Sequence, residues 1–380
     1  MTMVGLCLAL VVAELTPLFT ATCFSIIAND LNAINHMVWI TVSGYVAEGA
    51  VTPFVGSLSD MFGRRPIILF SLLLKMLGCI LMGTSYSLAP YLVGNVFSGI
   101  AVGIQVMTVI AGVTELVPAA KRGKMLGYII IGLLPFGPGA LYGQLIASHD
   151  WRFIYLMVAM LTLCSFFCLS IWYKAPPRES VAGLSKRELL RRIDYGGGFL
   201  SILGFTLIII GINWGGIDYP WKSVQLICSL TFGFLCLILL GIYERWFTKW
   251  PMFQMRMAKN KRMLFACCLI CFSSGVNYMP VTTFWGIQIY SVYGASWTQA
   301  GVWMIPVGFC IFAGAIIGAM CLTVFKRHIQ WVLLAFCIVQ TVGTWTRRVF
   351  RHIDVLLTFF QEVQPLLSSI ATTSTQSGPL

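Results

Sequence analysis

What most constrains this chain is a succession of apolar runs, each about the twenty residues that an α-helix needs to cross a bilayer. Eleven can be read: 3–27, 38–56, 66–85, 90–117, 125–147, 153–173, 195–214, 223–243, 263–290, 299–325 and 329–346. Hydrocarbon offers no partner to backbone N–H and C=O groups, so runs of this kind satisfy them internally as helices. Over 380 residues, 58% are hydrophobic and 10% are charged, too few charges to clothe an ordinary globular surface. The reading is an all-α polytopic membrane protein whose main partner is the lipid bilayer. The first run has no basic segment ahead of it and passes straight into further spans, which marks an uncleaved helix rather than a signal peptide.

The formal charge of +12 would suit nucleic acid only if the basic residues formed a face, and they do not. Most of the 25 Lys and Arg fall in alternate loops: at Arg64 and Arg65, in 121–124, in 174–192, in 245–262 and at Lys326 and Arg327. The intervening loops carry Arg152 and Lys222. Such alternation is the positive-inside pattern, and it places the N-terminus in the cytoplasm; the membrane expected is the plasma membrane rather than a vacuolar or vesicular one. Many of the 13 cysteines sit inside apolar runs, as do Cys267, Cys268 and Cys271. There a thiol behaves as a small hydrophobe, and no His or carboxylate stands near to complete a metal site.

The chain divides into an N-terminal six-helix bundle (1–173), a cytoplasmic linker with Pro176 and Pro177 (174–194), two additional central helices (195–243), a basic cytoplasmic loop (244–262), a partial C-terminal bundle (263–346) and an atypical tail (347–380). Arg347, Arg348 and Arg351 break the charge alternation, and three spans fall short of a second six-helix bundle. The C-terminal bundle is accordingly read as truncated.

Between the second and third runs lies Gly56-Ser-Leu-Ser-Asp-Met-Phe-Gly-Arg-Arg65. A tight turn between membrane helices wants Gly56 and Gly63; Arg64 and Arg65 hold the cytoplasmic side, and Asp60 partners them or a helix end. With Leu58, this segment resembles the loop signature of the major facilitator superfamily. Further stretches resemble its fourteen-span drug:proton antiporters, most closely the fungal trichothecene efflux pump and siderophore-transporter branch. They include Trp39 with Tyr45, Gly99-Ile-Ala-Val-Gly103 with Gln105, Glu115-Leu-Val-Pro118, Trp151-Arg-Phe-Ile-Tyr155, Asp194-Tyr-Gly-Gly197 and Asn213-Trp-Gly-Gly216. The resemblance runs to Thr346 and implies alternating access around a midplane site. It further implies that Gly132, Gly137, Pro138, Gly139 and Gly143 form the antiporter glycine and proline signature, a rocking contact between bundles; the alternative is ordinary close packing. Asn95 stands where the superfamily often has an arginine. Related antiporters commonly carry a carboxylate in the first span, and alignment puts Thr16, not Glu14, at that position.

Ionisable groups inside a membrane are costly and are usually paired or functional. Glu48 lies about 18 Å above Asp60 if helical, and Lys75 about 15 Å above Arg65. Their similar depth permits a mid-membrane ion pair, with Glu48 as the proton-carrying carboxylate and Lys75 as its partner. Glu14 is the second acidic candidate, and Glu115 reads as a structural helix-end pairing. The substrate cavity draws on Tyr45, Trp285, Tyr290 and Trp303 with Asn95, Gln105, Asn277 and Gln288, since sparse hydrogen-bonding groups in an apolar cavity suit an amphipathic organic molecule.

The leading expectation is proton-coupled export of a small organic compound such as a toxin, drug or secondary metabolite. Import of a ferric siderophore is the alternative, as is a non-transporting sensor or an inactive fragment. No nucleophile motif, phosphate loop or cofactor signature is present in the sequence, so neither an enzyme nor a cofactor is expected. Orientation is directly testable in a cysteine-free background. An impermeant thiol reagent on intact cells should modify Ile217→Cys and spare Ser185→Cys; the reverse would invert the topology.

Overall fold

The computed structural model describes residues 1–118, 121–174, 194–216, 219–248 and 297–324, with scattered helical positions between 262 and 276 and between 331 and 338. The tail after 347, most of the 174–194 linker and most of the 263–290 and 329–346 spans lie outside the described residues. The helices are α1 (Thr2–Asp30), α2 (Met37–Phe62), α3 (Arg64–Gly83), α4 (Leu88–Leu116), α5 (Arg122–Ile131), α6 (Gly139–Ala147), α7 (Arg152–Trp172), α8 (Tyr195–Trp214), α9 (Val224–Trp246) and α10 (Trp297–Val324). Eight of the described helices are long and apolar enough to cross a membrane. Their bounds follow the apolar runs closely, because in lipid the run itself decides where a helix must be.

Two expectations change. The fifth span is not one helix: α5 stops at Ile131, a 3-10 turn follows at Leu134–Phe136, and α6 starts after Pro138. Pro135 and Pro138 lack the N–H that would continue the ladder, so the break falls on the glycine and proline signature itself. The charged signature is also more helical than a loop. α2 runs through Gly56, Leu58 and Asp60 to Phe62, and only Gly63 separates it from α3. Gly63 has φ 87°, which suits glycine and lets the chain reverse in one residue. Gly56 is helical, and an added Cβ there would meet open space, so no turn needs it.

α4 is the hub, packed against α1, α2, α3 and α5. Its small residues let neighbouring backbones come close, the usual means of helix association where no hydrophobic effect operates. A Cβ on Gly99 would fall on the carbonyl oxygen of Gly44 in α2, and one on Gly103 would come 2.9 Å from Thr52 Oγ1. On the α3 side, a Cβ on Gly78 would lie 2.7 Å from the Gly94 carbonyl oxygen and 2.8 Å from the Ser98 nitrogen. α7 closes the bundle against α1 and α3, α8 pairs with α9 and leans on α2, and α10 packs on α5 and α6. Leu6, Leu15, Phe19, Ile68, Leu72 and Met82 belong to the largest buried cluster.

Arginines tie the two ends. At the basic end Arg64 Nε and Nη2 donate to the two Glu115 carboxylate oxygens, each at 2.6 Å, and Arg65 donates to the Ser170 carbonyl at 2.6 Å. At the far end Arg152 pairs with Asp30 at 2.9 Å, donates to the Ser85 carbonyl at 3.2 Å and lies over the rings of Tyr86 and Trp151. Asp194 caps α8 by accepting from the Gly197 N–H at 2.7 Å. These contacts account structurally for several of the stretches that carry the family resemblance.

The close approach of α4 predicts opposite outcomes for two alanine substitutions. Gly99→Ala should destabilise the purified protein by about 1–3 kcal/mol, as overpacking does. Gly56→Ala, in open space, should be neutral or stabilising by up to about 1 kcal/mol through helix propensity. Thermal unfolding in detergent reads both; equal effects would show that the α2–α4 contact is looser than described.

Candidate functional site

A small recess, partly open, lies among α1, α2 and α4. Thr16, Pro17 and Thr20 line it from α1, Thr41, Gly44, Tyr45 and Glu48 from α2, and Asn95, Ser98, Gly99 and Val102 from α4. The α4 residues recur at i, i+3, i+4 and i+7, one helix face turned to one place. Glycine at 44 and 99 brings the α2 and α4 backbones together on one side of the recess.

Two separate sets of hydrogen-bonded groups flank it. Asn95 is buried, and its Nδ2 donates to the Ile40 carbonyl at 2.7 Å and to Ser43 Oγ at 2.9 Å. An asparagine here therefore ties α4 to α2 rather than presenting a cation. Thr20 shares a hydrogen bond of 3.0 Å with Tyr155, and Tyr155 shares one of 2.8 Å with Tyr91. Tyr91, Trp151 and Tyr155 meet edge to face, and the Trp151 indole donates to Asp30 at 3.0 Å. Sequence reasoning missed Thr20, Thr41 and Ser98 as wall residues. Their signal was the helical period that Thr20 shares with Thr16, Thr41 with Glu48 and Ser98 with Asn95, which becomes readable only once the helix faces are oriented.

Of the acidic candidates, Glu48 lines the recess, while Glu14 is half-buried one turn from the wall and outside the lining. Lys75 is 0% exposed. Its ammonium donates to Ser98 Oγ at 2.9 Å, and it makes no ion pair with Glu48. The expected direct pair is thus replaced by a cluster in which Glu14, Glu48 and Lys75 lie within Coulombic reach of one another. The reason is positional: Gly78 packs α3 onto α4 at Ser98, so the lysine on the preceding turn meets that serine first.

Other candidates scatter. Gln105 is buried in α4 with neither amide atom hydrogen-bonded, and it is not in the lining. Trp303 is 48% exposed on α10 and also outside it. Asn277, Trp285, Gln288 and Tyr290 lie outside the described residues. In the glycine and proline signature, Gly132, Gly139 and Gly143 face α1, at Cys7, at Leu18 and at Phe19 with Thr22. Gly137 faces α10, where a Cβ would meet Phe309, and Gly308 comes up against its carbonyl. In the charged signature Asp60 meets Arg64 at 3.5 Å, and Leu58 packs with the Val55, Ile67 and Ile104 cluster.

The antiparallel bundle with a polar recess among its first, second and fourth spans is that of a major facilitator. The xylose transporter XylE from E. coli, in a partially occluded inward-open conformation, shares the fold at TM-score 0.54 and 15% identity, over 98% of this chain and 82% of that one. The sequence profile of the fungal trichothecene efflux pump (TRI12) matches residues 7–346, and the chain belongs to that family. The MFS-type transporter gkaD of Penicillium citrinum is 29% identical over 349 residues, covering 88% of this chain and 58% of that protein. Multidrug resistance protein 3 of Bacillus subtilis (strain 168) is 29% identical over 320 residues, covering 83% of this chain and 59% of that protein. The chain thus spans under six-tenths of the length of these relatives. It is an integral, multi-pass membrane protein.

Proposed function

We propose that the protein exports a small organic compound by alternating access, driven by protons that Glu48 carries. The observation that supports this reading is the placing of charge. Glu48 is the carboxylate in the described recess wall, and Lys75 is shut behind Ser98 without an ion pair to it. A carboxylate so placed can lose its proton on one side of the membrane and regain it on the other as the bundle rocks. Glu48 takes up the part that a first-span carboxylate has in related antiporters, where this chain has Thr16 in the same wall. Glu14 would tune the cluster from the mouth of α1.

Further support comes from the names of relatives, which include efflux pumps and a multidrug resistance protein. No basic side chain is among the described wall residues, which favours neutral or cationic cargo over an anionic complex. Gly137 against Gly308 supplies a small-residue contact on which the fifth span could rock against α10. The Arg64–Glu115 bond would hold the basic end of the N-terminal bundle rigid during that movement, with the N-terminus cytoplasmic and the plasma membrane as the site of action.

Inverted membrane vesicles with an imposed pH gradient, inside acidic, test the reading with rhodamine 6G as the probe. The parent chain should accumulate the dye, and Glu48→Gln should reduce gradient-driven accumulation by about two orders of magnitude, as loss of an essential proton carrier does. Undiminished accumulation in Glu48→Gln would remove Glu48 from coupling. No gradient-dependent accumulation by the parent would favour a non-transporting role.

A further inference from the structure

Serine and threonine hydroxyls in helices often fold back on their own helix. Ser71 donates to the Ile68 carbonyl at 2.7 Å, Thr108 to Ile104 at 2.6 Å and Thr162 to Val158 at 2.7 Å. Ser98 does otherwise. Its oxygen accepts from the Lys75 ammonium at 2.9 Å, and it makes no bond to a carbonyl of α4. An ammonium has no lone pair, so the Ser98 proton does not go to Lys75 and is left for the recess that Ser98 lines. Asn95 shows the converse. Its Nδ2 spends both hydrogens on Ile40 and Ser43, while its Oδ1, beside Gly44, accepts no hydrogen bond among the described residues. Glu48 stands in the same wall with its side chain turned towards α4, its Cγ 3.5 Å from where a Cβ on Gly103 would lie. The recess thus gathers a free donor, Ser98, and two acceptors, Asn95 and Glu48, around room for about one water.

We propose that the recess is a site for a single ordered water, and that this water joins Ser98 to Asn95 and Glu48, making Lys75, Ser98, water and carboxylate one hydrogen-bonded line. The water accepts from the Ser98 O–H and donates to Asn95 Oδ1 and to the Glu48 carboxylate, about the three bonds usual for a buried water. Every donor in the line points towards the carboxylate: ammonium to serine oxygen, serine O–H to water, water O–H to Glu48. Accepting from a cation strengthens the bond that each next hydroxyl makes, so Lys75 acts on Glu48 without an ion pair. When Glu48 is protonated its own O–H donates to the water, which still donates to Asn95, so the same site serves both forms. Lys75 and Ser98 are then positioning residues for Glu48. That role rests on Glu48 being the proton carrier; the water site does not.

Two measurements on the detergent-purified full chain test the proposal. A structure that resolves ordered water should show density within about 2.7–3.2 Å of Ser98 Oγ, Asn95 Oδ1 and a Glu48 carboxyl oxygen. Unfolding temperatures of Glu48→Gln, Lys75→Met and the double variant then read how the two residues interact, and with Ser98 in place they should depart from additivity by about 3 °C. The same cycle should keep that departure in Ser98→Thr, which retains the hydroxyl, and lose most of it in Ser98→Val, which has the same shape without it. If β-branching at this tight contact prevents folding, Ser98→Ala removes the hydroxyl without added bulk and should show the same loss. Density missing from the recess would overturn the proposal. So would a coupling unchanged by loss of the hydroxyl, because Lys75 would then act on Glu48 directly through space. No gradient enters either measurement: failure of dye accumulation with density and coupling intact would fault Glu48 as the proton carrier and leave the water site standing.

Discussion

The contact on which the rest depends is backbone against backbone: α2 on α4 at Gly44 and Gly99, and α3 on α4 at Gly78 and Gly94. In lipid, helices gain little from hiding apolar side chains, so close approach and hydrogen bonding must hold them together. Glycine supplies the approach. Once α2 and α4 touch at residues 44 and 99, Glu48 stands one turn along from the contact, with its side chain in the recess. The α3–α4 contact then sets Lys75 against Ser98. Charge placement in the recess is thus a consequence of where side chains are missing.

The polar ties at the two ends serve a different purpose. Arg64 on Glu115 and Arg152 on Asp30 fasten helix ends that short turns alone would leave free to splay, and both guanidiniums are mostly buried, at 11% and 18% exposed. Each arginine has further partners, so it acts as a clamp on several helices rather than as an isolated surface pair of small worth. Fastened at both ends and pressed together midway, the first four spans and α7 form one unit. Beside that unit the fifth span is broken at its prolines, between α1 and α10.

Much of this was legible in the residues. Apolar runs placed the helices, because a bilayer allows few alternatives. Ionisable residues inside those runs pointed to Glu48, Lys75 and Glu14, because nothing charged is cheap there. The signature glycine at 63 was readable as a reversal, and of the two signature glycines it alone takes a positive φ. What sequence could not give was rotation about each helix axis. Gln105 and Trp303 look as eligible for a cavity as Tyr45 and Asn95, yet only the latter two face it. Likewise a Glu48–Lys75 pair is reasonable from depth alone, and it is Gly78, a residue with no chemistry of its own, that gives the lysine to Ser98 instead. Gly56 misled for the opposite reason: glycine in a helix end looks like a turn.

Glu48 faces the open recess, while Lys75, at similar depth, is sealed behind Ser98. Cysteine accessibility in a cysteine-free background measures this directly. Glu48→Cys and, as a second wall position, Thr41→Cys should react with a small, charged, water-borne thiol reagent, and Lys75→Cys should stay unmodified until the protein is unfolded. Reaction of Lys75→Cys as fast as Glu48→Cys in the folded protein would show that Lys75 is open to water and not sealed behind Ser98.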